Sequence, residues 1–159
     1  MRGYVVPGLI LAAAAGLLVW GGDLLGLDLE YVALLGVALG GAAGLVPDRS
    51  PLLRAGGLLT GAVIAWIGYA VRAAVLPDTS GGRAVAAVGV VVLCTFIAFM
   101  AAGRVPLWSM LIGVAAIVGA YEEIYTAAPA RFMSTSPTAT TAVLLAAAFG
   151  FLATILLGS

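Results

Sequence analysis

Few residues in this chain have the chemistry to do catalysis. Seven Arg balance seven Asp plus Glu, and the sequence contains no Lys, His, Asn or Gln and a single cysteine, Cys94. Without His there is no imidazole base, no Ser–His or Cys–His nucleophile pair and no His-bound metal or haem. Without Lys there is no Schiff base and no phosphate-loop lysine. A lone cysteine inside an apolar run gives neither an internal disulfide nor a Cys-pair metal site. Gly21-Gly22-Asp23 is a fragment of an aspartyl-protease-like pattern, but no second Asp within an apolar run completes a dyad. Glu122 and Glu123 could hold a metal with an Asp or Glu from another helix, but as helix neighbours they point about 100° apart and do not easily face one ion. The expectation is therefore a non-enzyme, with no catalytic residue, no cofactor and no metal.

The charges that remain can still act together. Arg72 lies about 30 Å along a helix that begins near Leu52, and Glu122 about 24 Å along one that begins near Pro106 and rises the same way. Glu30 opens another helix at the same level. Arg72, Glu122, Glu123 and Glu30 thus form a candidate outer charge cluster. Its functional reading is a gated vestibule. Its plain reading is interface anchoring and an ion pair, as expected of ionisable groups at a membrane boundary. Arg72 and Arg131 with Glu122 also have the side chains to hold a lipid phosphate.

The elements that must position these groups are apolar. Of 159 residues, 64% are hydrophobic and 9% charged, against about 45–50% and about 25% in soluble domains. Mean hydropathy is +1.21. The fold class expected is all-α: a polytopic transmembrane helix bundle, one membrane-embedded domain over residues 1–159. Apolar runs cover 4–22, 31–46, 52–76, 84–102, 106–121 and 139–157. They give six spans, or five or four if the short second or fifth run does not cross. The first run is read as a retained helix, because it exceeds a signal-peptide core of about 7–15 residues. Pro47-Asp48-Arg49-Ser50-Pro51 and Pro77–Gly82 are turn signals, and the longest polar stretch, residues 125–138, reads as a loop. Zero net charge offers no field for nucleic acid. Arg2, Arg49, Arg54 and Arg104 on one side face Arg72, Arg83 and Arg131 on the other, a weak bias towards cytoplasmic termini. The Ala, Gly, Val, Leu and Arg bias is that of a GC-rich prokaryotic genome, so the expected location is a prokaryotic plasma membrane.

Glycine spacing supplies the remaining signal. Gly36, Gly40 and Gly44 recur every fourth residue, as do Gly57 and Gly61, and Gly8, Ala12 and Gly16. Such small-residue faces let helices approach closely in lipid. They serve either packing within the chain or a seam to another chain. Leu35-Gly36-Val37-Ala38 also resembles Ile112-Gly113-Val114-Ala115, a hint of a three-plus-three repeat. Trp and Tyr gather near the run ends as belts, with Trp66 deeper. The function expected is a small structural or accessory subunit that packs through glycine-rich faces with a partner or with itself. Its partners are the lipid bilayer and a homo-oligomer or larger membrane complex. The alternative is a small transporter or channel with an outer charged vestibule.

Overall fold

The computed structural model describes residues 5–25, 30–77 and 79–157. All regular structure in the described residues is helical: α1 (Val5–Leu25), α2 (Glu30–Leu45), α3 (Pro51–Ala74), α4 (Ser80–Met100), α5 (Leu107–Ala127) and α6 (Phe132–Leu157). A short 3-10 turn, Pro129–Arg131, joins the last two. Four helices are long and apolar enough to cross a bilayer, and α1 and α2 contribute shorter apolar stretches, Val5–Gly21 and Tyr31–Leu45. At 16 residues, α2 is about 24 Å long, short of a hydrocarbon core of about 30 Å.

The polar stretch after Tyr121 is not the loop that its composition suggests. α5 continues to Ala127 and α6 begins at Phe132, seven residues before the apolar run. Tyr125 and Phe132 explain this: both are buried, Tyr125 against Tyr69 of α3 and Phe132 against Trp66 of α3 and Tyr121 of α5, and that packing offsets their polar surroundings. Pro137 is tolerated inside α6 although it lacks the N–H that an interior position donates.

Two helix pairs dominate the packing, α2 with α6 and α3 with α5. Both run parallel. Gly36 lies against Val143, Ala146 and Ala147, and Gly44 against Phe151 and Thr154, so position rises together along α2 and α6. Likewise Gly57 meets Ser109, while Tyr69 and Arg72 meet Glu122. These crossings are backbone on backbone. A Cβ added at Gly40 would overlap the Ala147 carbonyl, one at Gly61 the Met110 carbonyl, and one at Gly113 the Leu58 carbonyl. The glycines at 36, 40, 44, 57 and 61 are therefore filled from inside the chain.

The pairing has an internal symmetry. Exchanging α1 with α4, α2 with α5 and α3 with α6 turns the α2·α6 pair into α5·α3, and α1·α6 into α4·α3. The exchange is inverted. Arg54 near the start of α3 meets Phe151 near the end of α6, and Trp66 further along meets Phe132 and Ser136, so α3 and α6 run antiparallel. The two similar tetrapeptides occupy equivalent places: Gly36 abuts α6 and Gly113 abuts α3.

The exterior is apolar and the interior small. The core is rich in alanine, with Ala33, Ala116 and Ala146 fully enclosed. Outside, α4 presents Val85, Val88, Val92, Phe96 and Phe99 to its surroundings. Exposed apolar surface on this scale is compatible with a bilayer and would aggregate in water.

Gly40→Ala is expected to destabilise the protein by about 1–3 kcal/mol, because the methyl group meets backbone that cannot rotate away. Gly89→Ala, with nothing within 4 Å of its added Cβ, should instead stabilise by about 0.5–1 kcal/mol through helix propensity. Thermal unfolding of both variants in one detergent checks the opposite signs.

Candidate functional site

The polar side chains collect at the two ends of the bundle. At one end, the last turns of α3 and α5 meet the first turns of α4 and α6. Helical spacing aligns the participants. Tyr69 and Arg72 share one face of α3 at i, i+3, and Tyr121 and Tyr125 share one face of α5 at i, i+4. The parallel α3–α5 pairing then brings Glu122 to both α3 residues.

Glu122 is held from two sides. Arg72 Nη1 donates to its carboxylate at 2.9 Å and 3.2 Å, and the Tyr69 hydroxyl donates at 2.6 Å. The Arg72 guanidinium also lies 4.5 Å from the Tyr125 ring centre and 5.4 Å from that of Tyr69. Beneath the ion pair runs an aromatic cluster. Tyr69 packs edge-on against Tyr121 at 5.3 Å, and Trp66 lies 5.3 Å from Phe132. Its polar tips are paired: the Trp66 indole donates to Ser136 at 3.1 Å, and the Tyr121 hydroxyl shares a 2.7 Å bond with Thr135. α3, α5 and α6 are thus stitched together at this end by five aromatic rings and one ion pair.

Of the four residues expected to share this level, the structure joins Arg72 and Glu122. Glu123 is exposed, one position round the helix from the pair. The side chain of Glu30 lies outside the described residues. The aromatics were expected to form a belt around the bundle. Instead Tyr69, Tyr121 and Tyr125 are buried and form the wall against which Arg72 rests. The signal for this was their spacing: each tyrosine lies within four residues of Arg72 or Glu122 on its own helix.

The opposite end contains an arrangement that the sequence reading missed. Arg54 is only 5% exposed. Its Nη1 donates to the carbonyls of Ala43 at 3.1 Å, Gly44 at 2.8 Å and Val46 at 2.5 Å, closing the C-terminus of α2. A guanidinium placed there satisfies orphan carbonyls and complements the negative end of the helix dipole. Ser109 on α5 bonds the Arg54 carbonyl in turn, and Trp108 donates to Asp48 at 2.8 Å. The last turn of α2 contains no basic residue of its own, and that gap was the only clue to an external cap.

A cavity of about 280 Å³ opens between α3, α4 and α5 beside the Arg72–Glu122 pair. Among the described residues, no group of three or more Cys, Asp or Glu is placed to hold a metal ion. Glu122 is occupied by Arg72 and Tyr69, and among the described residues the hydroxyls of Ser134, Thr135 and Ser136 pair with the Arg131 carbonyl, Tyr121 and the Trp66 indole rather than with a base. Chemically the arrangement can fix helices, orient an ion pair and receive an apolar group in the cavity. No family model matches the chain, and neither the curated proteins nor the solved structures contain one similar to it.

The ion pair should respond unequally to loss of its two partners. Arg72 is 10% exposed and Glu122 is 38% exposed. Glu122→Leu leaves an enclosed guanidinium without its carboxylate and is expected to cost about 2–3 kcal/mol, a buried-pair loss discounted for solvent. Arg72→Met leaves a carboxylate that water still reaches and should cost about 1 kcal/mol. Unfolding midpoints of the two variants measure the difference, and equal losses would contradict the asymmetry.

Proposed function

We propose that the chain is a non-enzymatic integral membrane protein of six spans, embedded in a prokaryotic plasma membrane with both termini cytoplasmic. In this reading it is a structural or accessory subunit. The support is how its polar groups are used. The ion pair, the Arg54 cap and the aromatic hydroxyls all serve contacts between helices, and none is left facing a reactive centre.

Association with another chain then needs a surface that is not already filled. The glycines of α2 and α3 are consumed within the chain, whereas Gly8, Ala12 and Gly16 on α1 are exposed, with nothing within 4 Å of a Cβ at either glycine. That open stripe is the observation that carries the reading, because small residues at four-residue spacing let a second helix approach closely in lipid. Native mass spectrometry of protein released gently from its own membrane tests it. A defined homo-oligomer or a heteromeric mass is expected. Gly8→Leu with Gly16→Leu should weaken that association by about tenfold. A monodisperse monomer in several detergents with no co-purifying protein would overturn the reading.

One observation favours a second reading, a small transporter. The inverted exchange of helix pairs is the construction from which many secondary transporters build alternating access. The gate would then be the Arg72–Glu122 pair, which ties α3 of the first three-helix repeat to α5 of the second. Proteoliposome flux of candidate ions, compared between wild type and Glu122→Gln, separates the readings. Transport predicts a flux that changes severalfold with the substitution; an unchanged flux removes the gate.

A further inference from the structure

α4 is held by a single row of residues. Gly82, Ala86, Val90 and Cys94, each one turn from the next, face the bundle, and the positions between them are exposed. Cys94 is fully buried against Ile64 of α3 and Met110 of α5, so the helix is gripped from both sides at that point. Towards its N-terminus α4 keeps its hold on α3: a Cβ added at Gly68 would come 2.7 Å from a Val90 methyl group. Its flank towards α5 is different. Ala87 and Val91 are exposed and line the 280 Å³ cavity, with Val114, Val118 and Glu122 of α5 on the other wall.

The other half of the molecule shows the same three-helix arrangement shut. Under the inverted exchange α1 corresponds to α4, α2 to α5 and α6 to α3. α1 meets its neighbours with a broader face: Leu11, Ala14, Ala15 and Leu18, spaced i, i+3, i+4 and i+7, all pack into the central core. Leu11 lies directly on Gly41. Aligning the two similar tetrapeptides sets Gly41 level with Val118, and aligning the buried residues Leu18 and Cys94 sets Leu11 level with Ala87. The pair that shuts the first half therefore corresponds to two residues that line the cavity in the second. Leu with Gly and Ala with Val contain the same number of side-chain carbons, so the cavity does not come from missing side-chain volume. It exists because α4 stands off α5. The shut gap lies beside Gly44, at the end capped by Arg54, and the open one lies beside Arg72 and Glu122, at the opposite end.

We propose that α4 is a strap with two seats: the open one seen here, and a closed one in which it rolls about the Gly82–Cys94 row until Ala87 and Val91 rest on Val114 and Val118. A single row of contacts serves as the axis of such a roll, and small shear movements of packed helices are an established kind of transition. Neither end of the axis has to be released. The Gly82 N–H donates to the Thr79 hydroxyl at 3.2 Å and Gly82 abuts the Pro77 carbonyl, which keeps the start of α4 on the end of α3, while Cys94 is the fixed point further along. The surfaces brought together are apolar, and closing the gap recovers dispersion contacts that both walls lack in the open seat. Closure also covers the flank of Glu122 that faces the cavity. The inference rests on the inverted helix exchange and on neither the α1 seam nor transport, so a monomer without flux leaves it standing.

The test uses the full chain in lipid nanodiscs, with spin labels on Val85→Cys of α4 and Ile124→Cys of α5, and pulsed electron resonance to read their separation. The wild type, with only its enclosed Cys94, serves as the labelling control. Two distance populations are expected, the shorter one closed. Ala87→Phe fills the cavity and should leave only the longer population. Ala87→Leu with Val118→Gly copies the Leu11–Gly41 contact into the second half and should leave only the shorter one. Val91→Phe serves as a second filler if the Ala87→Phe variant does not fold, judged by circular dichroism and size exclusion. Oxidative cross-linking gives an independent readout. Ala87→Cys with Val118→Cys is expected to form a disulfide, because closure brings the two Cα atoms within about 7 Å, and Val88→Cys with Val118→Cys, on the outward face of α4, should react about tenfold more slowly. A single distance population in the unfilled protein, a shorter population that survives the filler, no response to the copied contact, or equal cross-linking of the two pairs would each overturn the proposal.

Discussion

The close approach of parallel helices at glycine is the constraint from which the rest of the architecture follows. Where Gly40 meets Ala147 and Gly61 meets Met110, no side chain separates the two backbones. Such contact is made of dispersion over many atoms and does not depend on water being excluded from between the helices. It also fixes register. With Gly36 set against Val143 and Gly113 against Leu58, a slide of one residue would drive a methyl group into a carbonyl. Everything else is placed by that register: Glu122 reaches Arg72 and Tyr69 because α3 and α5 are locked turn against turn.

Charge is handled in two different ways at the two ends. Arg54 has no carboxylate partner among the described residues and is neutralised by the partial charges of three carbonyls at a helix terminus. Arg72 is paired with a formal charge and two aromatic faces. The first arrangement completes α2, the shortest helix, whose last turn would otherwise leave its carbonyls open. The second binds the far ends of α3 and α5, where no glycine contact holds them.

Much of the helical layout was legible in the sequence. Pro47–Pro51 punctuates the chain between α2 and α3, and Pro77 marks the end of α3, although Ser80–Gly82, expected as loop, form the first turn of α4. Rise per residue put Arg72 and Glu122 on one level together with Glu123 and Glu30, but which of these charges meet depends on helix facing, and the structure joins Arg72 with Glu122 while Glu123 is exposed. What composition concealed was the region between Tyr121 and Ala139. Thr, Ser, Arg and Pro read as loop there because local propensity says nothing of Tyr125 finding Tyr69 of α3 or Phe132 finding Trp66 of α3 and Tyr121 of α5. Arg54 was equally hidden, because its partners are carbonyls, which every sequence contains and none advertises. Glycine spacing marked helix-to-helix contact but did not say to which helix, and the repeat between Leu35–Ala38 and Ile112–Ala115 acquires meaning only once both glycines are seen at equivalent crossings.

The parallel direction of the two main pairs has a consequence for how the chain is put together. Neighbouring helices that run the same way cannot be joined by a short turn, so α3 waits for α5 across the whole of α4, and α2 waits for α6 across three intervening helices. The tightest contacts are therefore among the most distant in sequence, a topology that slows folding through the entropy of closing large loops. As synthesis proceeds, α3 meets its mate while α2, short and packed so far only on α1, α3 and α5, still lacks its main neighbour α6 and has Arg54 on its last carbonyls. That guanidinium, drawn from the helix immediately following, is a local contact available long before α6 emerges. It lets an early arrival keep its shape until its permanent neighbour is made.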